Sequence, residues 1–153
     1  MRQAERQRYT PSVPVSEYRY TRRVQFADTD LAGVVHFSWI AKYMEEAEHA
    51  LWREAGLSIV PQEPAVSFPR VALSIDFKAP LFFEDEFEVH VRLTAVTRRS
   101  LTYAHTIRRG DTVIATGTMT AVCVSKSAVP MKAVEIPAEI LERLAVYLPS
   151  PSP

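Results

Sequence analysis

Hydrophobic and polar residues alternate with a period of two in several stretches of this chain, and fall at helical spacing in two others. From Glu17 to Phe26, Tyr18, Tyr20, Arg22, Val24 and Phe26 share one face and Arg19 and Arg23 lie on the other, which predicts a strand. The period then changes. Phe37, Ile40, Ala41, Met44, Ala47, Leu51 and Ala55 recur at spacings of three and four, predicting a helix from about Phe37 to Ala55. Lys42, Glu45, Glu46, Glu48, His49 and Arg53 occupy most of its remaining arc. His36 or Ser38 falls near the N-cap, and Gly56 is placed to end the helix in a left-handed conformation. Residues 57–65, with Pro61 and Pro64, read as a loop. Val71, Leu73, Ile75 and Phe77 then alternate up to Ala79-Pro80, Phe87 to Leu93 alternate next, and Leu101 to Ile107 follow. After an Arg109-Gly110-Asp111 turn, Val113 to Ser125 reads as one long strand, apolar on both faces. Residues 137–148 form a short amphipathic helix through Ile140, Leu141, Leu144 and Leu148.

The order β-α-β-β-β-β-α pairs five strands with a single long helix. One helix covers so large a sheet only if the sheet wraps around it. Wrapping still leaves an edge and an outer face, so pairing with a second copy, as a homodimer or homotetramer, is expected. The 153 residues suit one domain, spanning 17–148. Residues 1–16 mix Arg, Gln, Pro and Ser and read as a flexible arm; 149–153, Pro-Ser-Pro-Ser-Pro, as a flexible tail. Lys and Arg together number 18, as do Asp and Glu, a balance without the basic excess that nucleic-acid binding requires. No apolar run approaches the roughly 20 residues of a membrane span. Arg2, Arg6 and Arg8 have no apolar segment behind them, so no secretory signal is read. Cys123 is the only cysteine, which rules out an internal disulfide, fits a cytoplasmic setting and reads as a core residue. His49, His90 and His105 are scattered without metal-ligand spacing, so no metal and no cofactor are expected.

The candidate chemistry lies in Phe26-Ala27-Asp28-Thr29-Asp30-Leu31-Ala32-Gly33-Val34-Val35-His36-Phe37. Two carboxylates and a glycine turn precede the long helix. A helix start offers unpaired N–H groups and partial positive charge to a developing oxyanion. A carboxylate held beside it can attack a carbonyl, or activate a water that does. Asp30 is the first candidate, and Asp28 reads as the organiser of the turn. Gly33 supplies a positive φ that brings backbone amides close to a carbonyl. His36, beside the presumed site, lines it or assists Asp30. Arg98-Arg99 and Arg108-Arg109 read as solvated turn charges.

This segment resembles that of the hot-dog-fold acyl-CoA thioesterases of the 4-hydroxybenzoyl-CoA thioesterase type. The likeness continues through Tyr43-Met44-Glu45 and Leu51-Trp52-Arg53-Glu54-Ala55-Gly56-Leu57. It extends more loosely to Asp76-Phe77-Lys78-Ala79-Pro80, Asp85-Glu86-Phe87 and Ala133-Val134-Glu135-Ile136-Pro137. It implies an α+β hot-dog fold, an antiparallel five-stranded sheet wrapped around one long central helix, and hydrolysis of acyl-CoA thioesters. It implies that Asp30 is the catalytic carboxylate and that the Phe37 amide polarises the thioester carbonyl. Another branch of the superfamily carries its carboxylate at the position of Glu45, about 12 Å along the helix from Phe37 at ~1.5 Å per residue. The resemblance implies that Gly33, Val35 and His36 lie beside the substrate and offers Arg98-Arg99 and Arg108-Arg109 as alternative contacts for the phosphates of coenzyme A. Many relatives have an aromatic residue at His36 and a histidine at Phe37, an exchange that touches the site itself. The rival readings are a hot-dog hydratase or dehydratase, in which Asp30 and His36 would supply acid and base, and a non-catalytic acyl-CoA or acyl-carrier-protein binding module.

Overall fold

A computed structural model describes residues 17–148; the expected arm, 1–16, and tail, 149–153, lie outside the described residues. The strands are β1 (Glu17–Arg23), β2 (Val66–Ser67), β3 (Arg70–Phe77), β4 (Glu86–Val96), β5 (Ser100–Arg109), β6 (Thr112–Val122) and β7 (Val124–Ser125). The helices are α1 (Phe37–Glu54) and α2 (Ala138–Leu144). Five strands form an antiparallel sheet in the order β1-β4-β5-β6-β3, and β2 pairs with β7 in a small second sheet. The α+β hot-dog architecture is therefore as expected, with α1 lying in the concave face of the sheet.

Alternation decides which side of each strand meets α1. Phe87, Val89, Val91 and Leu93 of β4 and Leu101, Tyr103, His105 and Ile107 of β5 all point inward and are buried. Their neighbours Glu88, His90, Arg92, Thr102 and Thr106 face outward. Gly117 of β6 lets α1 approach closely. A Cβ there would lie 2.9 Å from the Met44 Cε and 2.9 Å from the Ser74 carbonyl oxygen.

Two strands differ from the sequence expectation. β1 stops at Arg23, because the Val24 N–H donates to the Asp85 carbonyl (2.9 Å) and Phe26–Asp28 winds into a 3₁₀ turn. The segment Val113–Ser125 is two strands rather than one. At Cys123 the chain leaves the large sheet: its N–H donates to the Arg99 carbonyl (2.7 Å), and Val124 pairs with Ser67 instead.

The helix is capped as expected but buries a wider arc. His36 is the N-cap, and Gly56, at φ 76°, follows the C-cap Ala55. The curled sheet covers Tyr43, Glu48, Ala50 and Trp52 as well as Ile40, Met44, Ala47 and Leu51, while Phe37 stays exposed. Glu48, assigned by periodicity to the polar arc, is fully buried. Its Oε2 accepts from the Arg70 Nη2 at 2.7 Å, and its Oε1 lies 3.3 Å from the His105 Nε2. On the opposite edge, β3 exposes Val71, Leu73 and Phe77.

Candidate active site

The turn before α1 is built by its own hydrogen bonds. The Asp30 N–H donates to the Val34 carbonyl (2.9 Å) and the Gly33 N–H to the Asp30 carbonyl (3.0 Å), with Thr29 bridged to Val35. Gly33 closes this tight loop at φ 80°, the left-handed conformation that glycine adopts without strain. Asp30 Oδ1 accepts the Ala32 N–H at 2.8 Å, an Asx turn that anchors the carboxylate through one oxygen. No described protein group takes Oδ2.

Asp28 has a different environment. Its side chain is buried, and Oδ2 accepts from Tyr43 Oη (2.7 Å), Arg22 Nη1 (2.5 Å) and the Gln25 N–H (3.1 Å). Burial alone would raise its pKa, but the hydrogen bonds from Tyr43 and Arg22 outweigh it and hold the carboxyl below its usual range. The Tyr43 hydroxyl is pushed up correspondingly, by burial and by Asp28. Arg22 continues to Glu46 (2.8 Å), and its guanidinium lies over the Tyr43 ring at 4.6 Å. Asp28 also accepts the His36 N–H through its own carbonyl, at 2.9 Å. It thus fastens β1, the turn and the helix start, in keeping with a structural reading.

Asp30, Gly33 and His36 share one open cleft of about 800 Å³, with Phe26, Leu31, Trp39 and Phe83 among its other walls. Phe26 and Phe83 meet edge to face, with centroids 6.0 Å apart. Alternation put Phe26 on the face it shares with Val24, which is buried; the 3₁₀ turn instead sends Phe26 outward to this rim. Phe83 was not singled out by the sequence, because it lies in a connection without periodicity. A second cleft of about 300 Å³ opens beside Phe37, Val35 and Ile40, against Phe77, Lys78 and Pro80 at the end of β3. Val35 is itself buried, and its N–H donates to the Leu81 carbonyl at 2.8 Å. Among the described residues, the Phe37 N–H, the first of α1, donates to no loop carbonyl or side chain. Glu45 is exposed on α1 and lines neither cleft.

Two of the arginines read as solvated turn charges are tied down: Arg98 to Glu135, and Arg109 to Asp85 (2.9 Å) and the Pro80 carbonyl (2.8 Å). Cys123 is buried, as expected of a core residue, and burial raises its thiol pKa. Among the described residues no cluster of three or more His, Cys, Asp or Glu side chains forms a metal site, and no helix is long and apolar enough to cross a membrane.

Comparison with known proteins places this architecture among relatives. Residues 24–144 match the model of the thioesterase-like superfamily, a broader group than the 4-hydroxybenzoyl-CoA type. A 1,4-dihydroxy-2-naphthoyl-CoA hydrolase of Nostoc punctiforme is 30% identical over 131 residues, covering 83% of this chain and 86% of that protein. The solved structure of a 1,4-dihydroxy-2-naphthoyl-CoA thioesterase from Synechocystis superposes with a TM-score of 0.77 at 25% identity, over 84% of this chain and 96% of that one. A gentisyl-coenzyme A thioesterase superposes with a TM-score of 0.73 at 29% identity, over 80% and 98%.

Proposed function

The chain belongs to the thioesterase-like superfamily and is an acyl-CoA thioesterase, and within that class we propose that Asp30 supplies the catalytic carboxylate and that the substrate is an aromatic acyl-CoA. The observation that carries the first part is the asymmetry of the two aspartates. Asp28 spends its carboxylate on Tyr43, Arg22 and Gln25, whereas Asp30 is anchored by one oxygen and leaves the other to the cleft. The Asx turn thus positions Asp30 beside the cleft with one oxygen free to act.

In the proposed reaction Asp30 Oδ2 attacks the thioester carbon, or takes a proton from the water that attacks it. The carbonyl oxygen becomes an oxyanion, for which the Phe37 N–H is the donor, and the positive end of the helix dipole adds favourable charge. The C–S bond then breaks and coenzyme A leaves as its thiolate. In the covalent route, water hydrolyses the resulting anhydride and frees Asp30. Glu45, remote from this cleft within one chain, has no part in these steps. The aromatic acyl group is supported by the walls that Phe26, Trp39 and Phe83 provide and by the naphthoyl and gentisyl substrates in the names of the relatives. The narrower 4-hydroxybenzoyl-CoA type rests on the motif around Asp30.

The chain is proposed to act as a homodimer, or as a homotetramer built from it. The exposed apolar residues of the β3 edge favour pairing with a second copy, which would close the cleft between Phe37 and Phe77 into a channel for the pantetheine arm. The test is thiol release from benzoyl-, 4-hydroxybenzoyl-, 1,4-dihydroxy-2-naphthoyl-, acetyl- and palmitoyl-CoA by wild type and Asp30→Asn. Hydrolysis of the aromatic thioesters, with a loss on the order of 10²-fold or more in the folded variant, is the expected result. Equal rates in the two proteins overturn the role of Asp30.

A further inference from the structure

His36 performs an unusual task for a histidine. It is the N-cap of α1, where Ser, Thr, Asp and Asn predominate because their side-chain oxygens accept from the first turn. Here the acceptor is a ring nitrogen. Nδ1 accepts the Ser38 N–H at 3.3 Å and lies 2.8 Å from the Ser38 Oγ. A nitrogen that accepts carries a lone pair, so in the neutral ring the proton resides on the other nitrogen, Nε2. No described protein group pairs with Nε2, and the ring lines the same cleft as Asp30 and Gly33. The helix cap therefore leaves one N–H donor, its tautomer set by Ser38, at the wall of the cleft and next in sequence to the Phe37 amide.

We infer that the Nε2–H of His36 is a second oxyanion donor, acting with the Phe37 N–H on the thioester oxygen. This rests on the proposal that the cleft of Asp30 is the thioesterase site. No proton is transferred in this role. As the carbonyl carbon becomes tetrahedral its oxygen gains negative charge, the Nε2–H hydrogen bond strengthens, and it relaxes when the C–S bond breaks. A donor held beforehand in position by a backbone cap stabilises the transition state without reorganising during the reaction. His36 would then be a catalytic residue, and Ser38 a positioning residue acting through it.

Two substitutions separate this role from capping. Asparagine places an acceptor near the position of Nδ1 and nothing at Nε2, so His36→Asn keeps the cap and loses the donor. Glutamine reaches the Nε2 position with an amide N–H, so His36→Gln restores the donor and loses the cap. Each is assayed with 4-hydroxybenzoyl-CoA and 1,4-dihydroxy-2-naphthoyl-CoA beside wild type and Asp30→Asn, with Tm measured in parallel. The expected result for His36→Asn is a wild-type Tm and a kcat lower on the order of 10²-fold, the low end for one oxyanion donor, with KM little changed. His36→Gln should show a lowered Tm and a kcat above that of His36→Asn. A His36→Asn variant with wild-type kcat, or activities of the two variants that simply follow their Tm, overturns the inference. A wild type that hydrolyses neither thioester overturns the reading of the site, and this inference with it. Loss of activity in Asp30→Asn together with full activity in His36→Asn leaves the site reading intact and removes the His36 role alone.

Discussion

The buried carboxylate of Glu48 makes a quantitative demand on stability. Its side chain is 1% exposed and that of Arg70 28%, with Nη2 and Oε2 2.7 Å apart. His105, without exposed side-chain surface, stands 3.3 Å from the other oxygen. Glu48→Leu keeps the volume and removes the charge, leaving the guanidinium with the Phe68 carbonyl at 2.8 Å and the Met119 sulfur. Removing one member of a fully buried pair costs about 3–5 kcal/mol; the partial exposure of Arg70 lets water reclaim part of this, giving about 2–3 kcal/mol. The matching experiment is a double-mutant cycle with Arg70→Leu, followed by urea unfolding and tryptophan fluorescence at fixed protein concentration. Because the double variant orphans neither charge, it should lose less stability than the sum of the single variants. A Glu48→Leu protein as stable as wild type, or a coupling within about 0.5 kcal/mol, would refute the reasoning.

Two further outcomes follow from other parts of the structure. Because Asp28 has its pKa lowered by folding, its contribution is fully present above the unfolded carboxylate pKa of about 3.9 and disappears as pH falls through the lower folded value. Asp28→Asn should therefore flatten the acid limb of a Tm-against-pH curve measured from pH ~2 to ~6, and an unchanged limb would show that Asp28 is not the group responsible. Leu73, on the exposed side of β3, is 49% accessible, so if the proposed dimer forms through this edge, Leu73→Lys should leave the monomer fold intact while shifting sedimentation from dimer to monomer; an unaltered sedimentation coefficient would refute pairing through β3.

What was legible in the sequence was what local chemistry determines. The ends of α1 follow from His36 and Gly56, residues that act within a turn of themselves. β4 and β5 follow from alternation, because each has one wet and one dry face. The turn around Asp30 and Gly33 was readable because its hydrogen bonds join near neighbours. Contacts between distant segments were not. Glu48 reads as a solvated helix residue until β3 supplies Arg70 and β5 supplies His105. The break at Cys123 depends on Arg99, a residue of another connection, and nothing in the apolar run from Val113 to Ser125 announces it. Within the candidate site, Asp30, Gly33 and His36 come together as their motif suggests, while Val35 turns into the core and Glu45 stands apart.

The contact between Met44 and Gly117 also makes the protein a recorder of its own opening. Met44 has no exposed surface, and its methyl group and sulfur fill the space that Gly117, lacking a Cβ, leaves open. Peroxide can reach that sulfur only when α1 lifts from the sheet, whereas Met131, 69% exposed, meets the reagent continuously. The two methionines thus form an internal pair, one reporting the dose of oxidant and the other the frequency with which the helix leaves its bed. A thioester bound across the start of α1 would slow the second clock without touching the first.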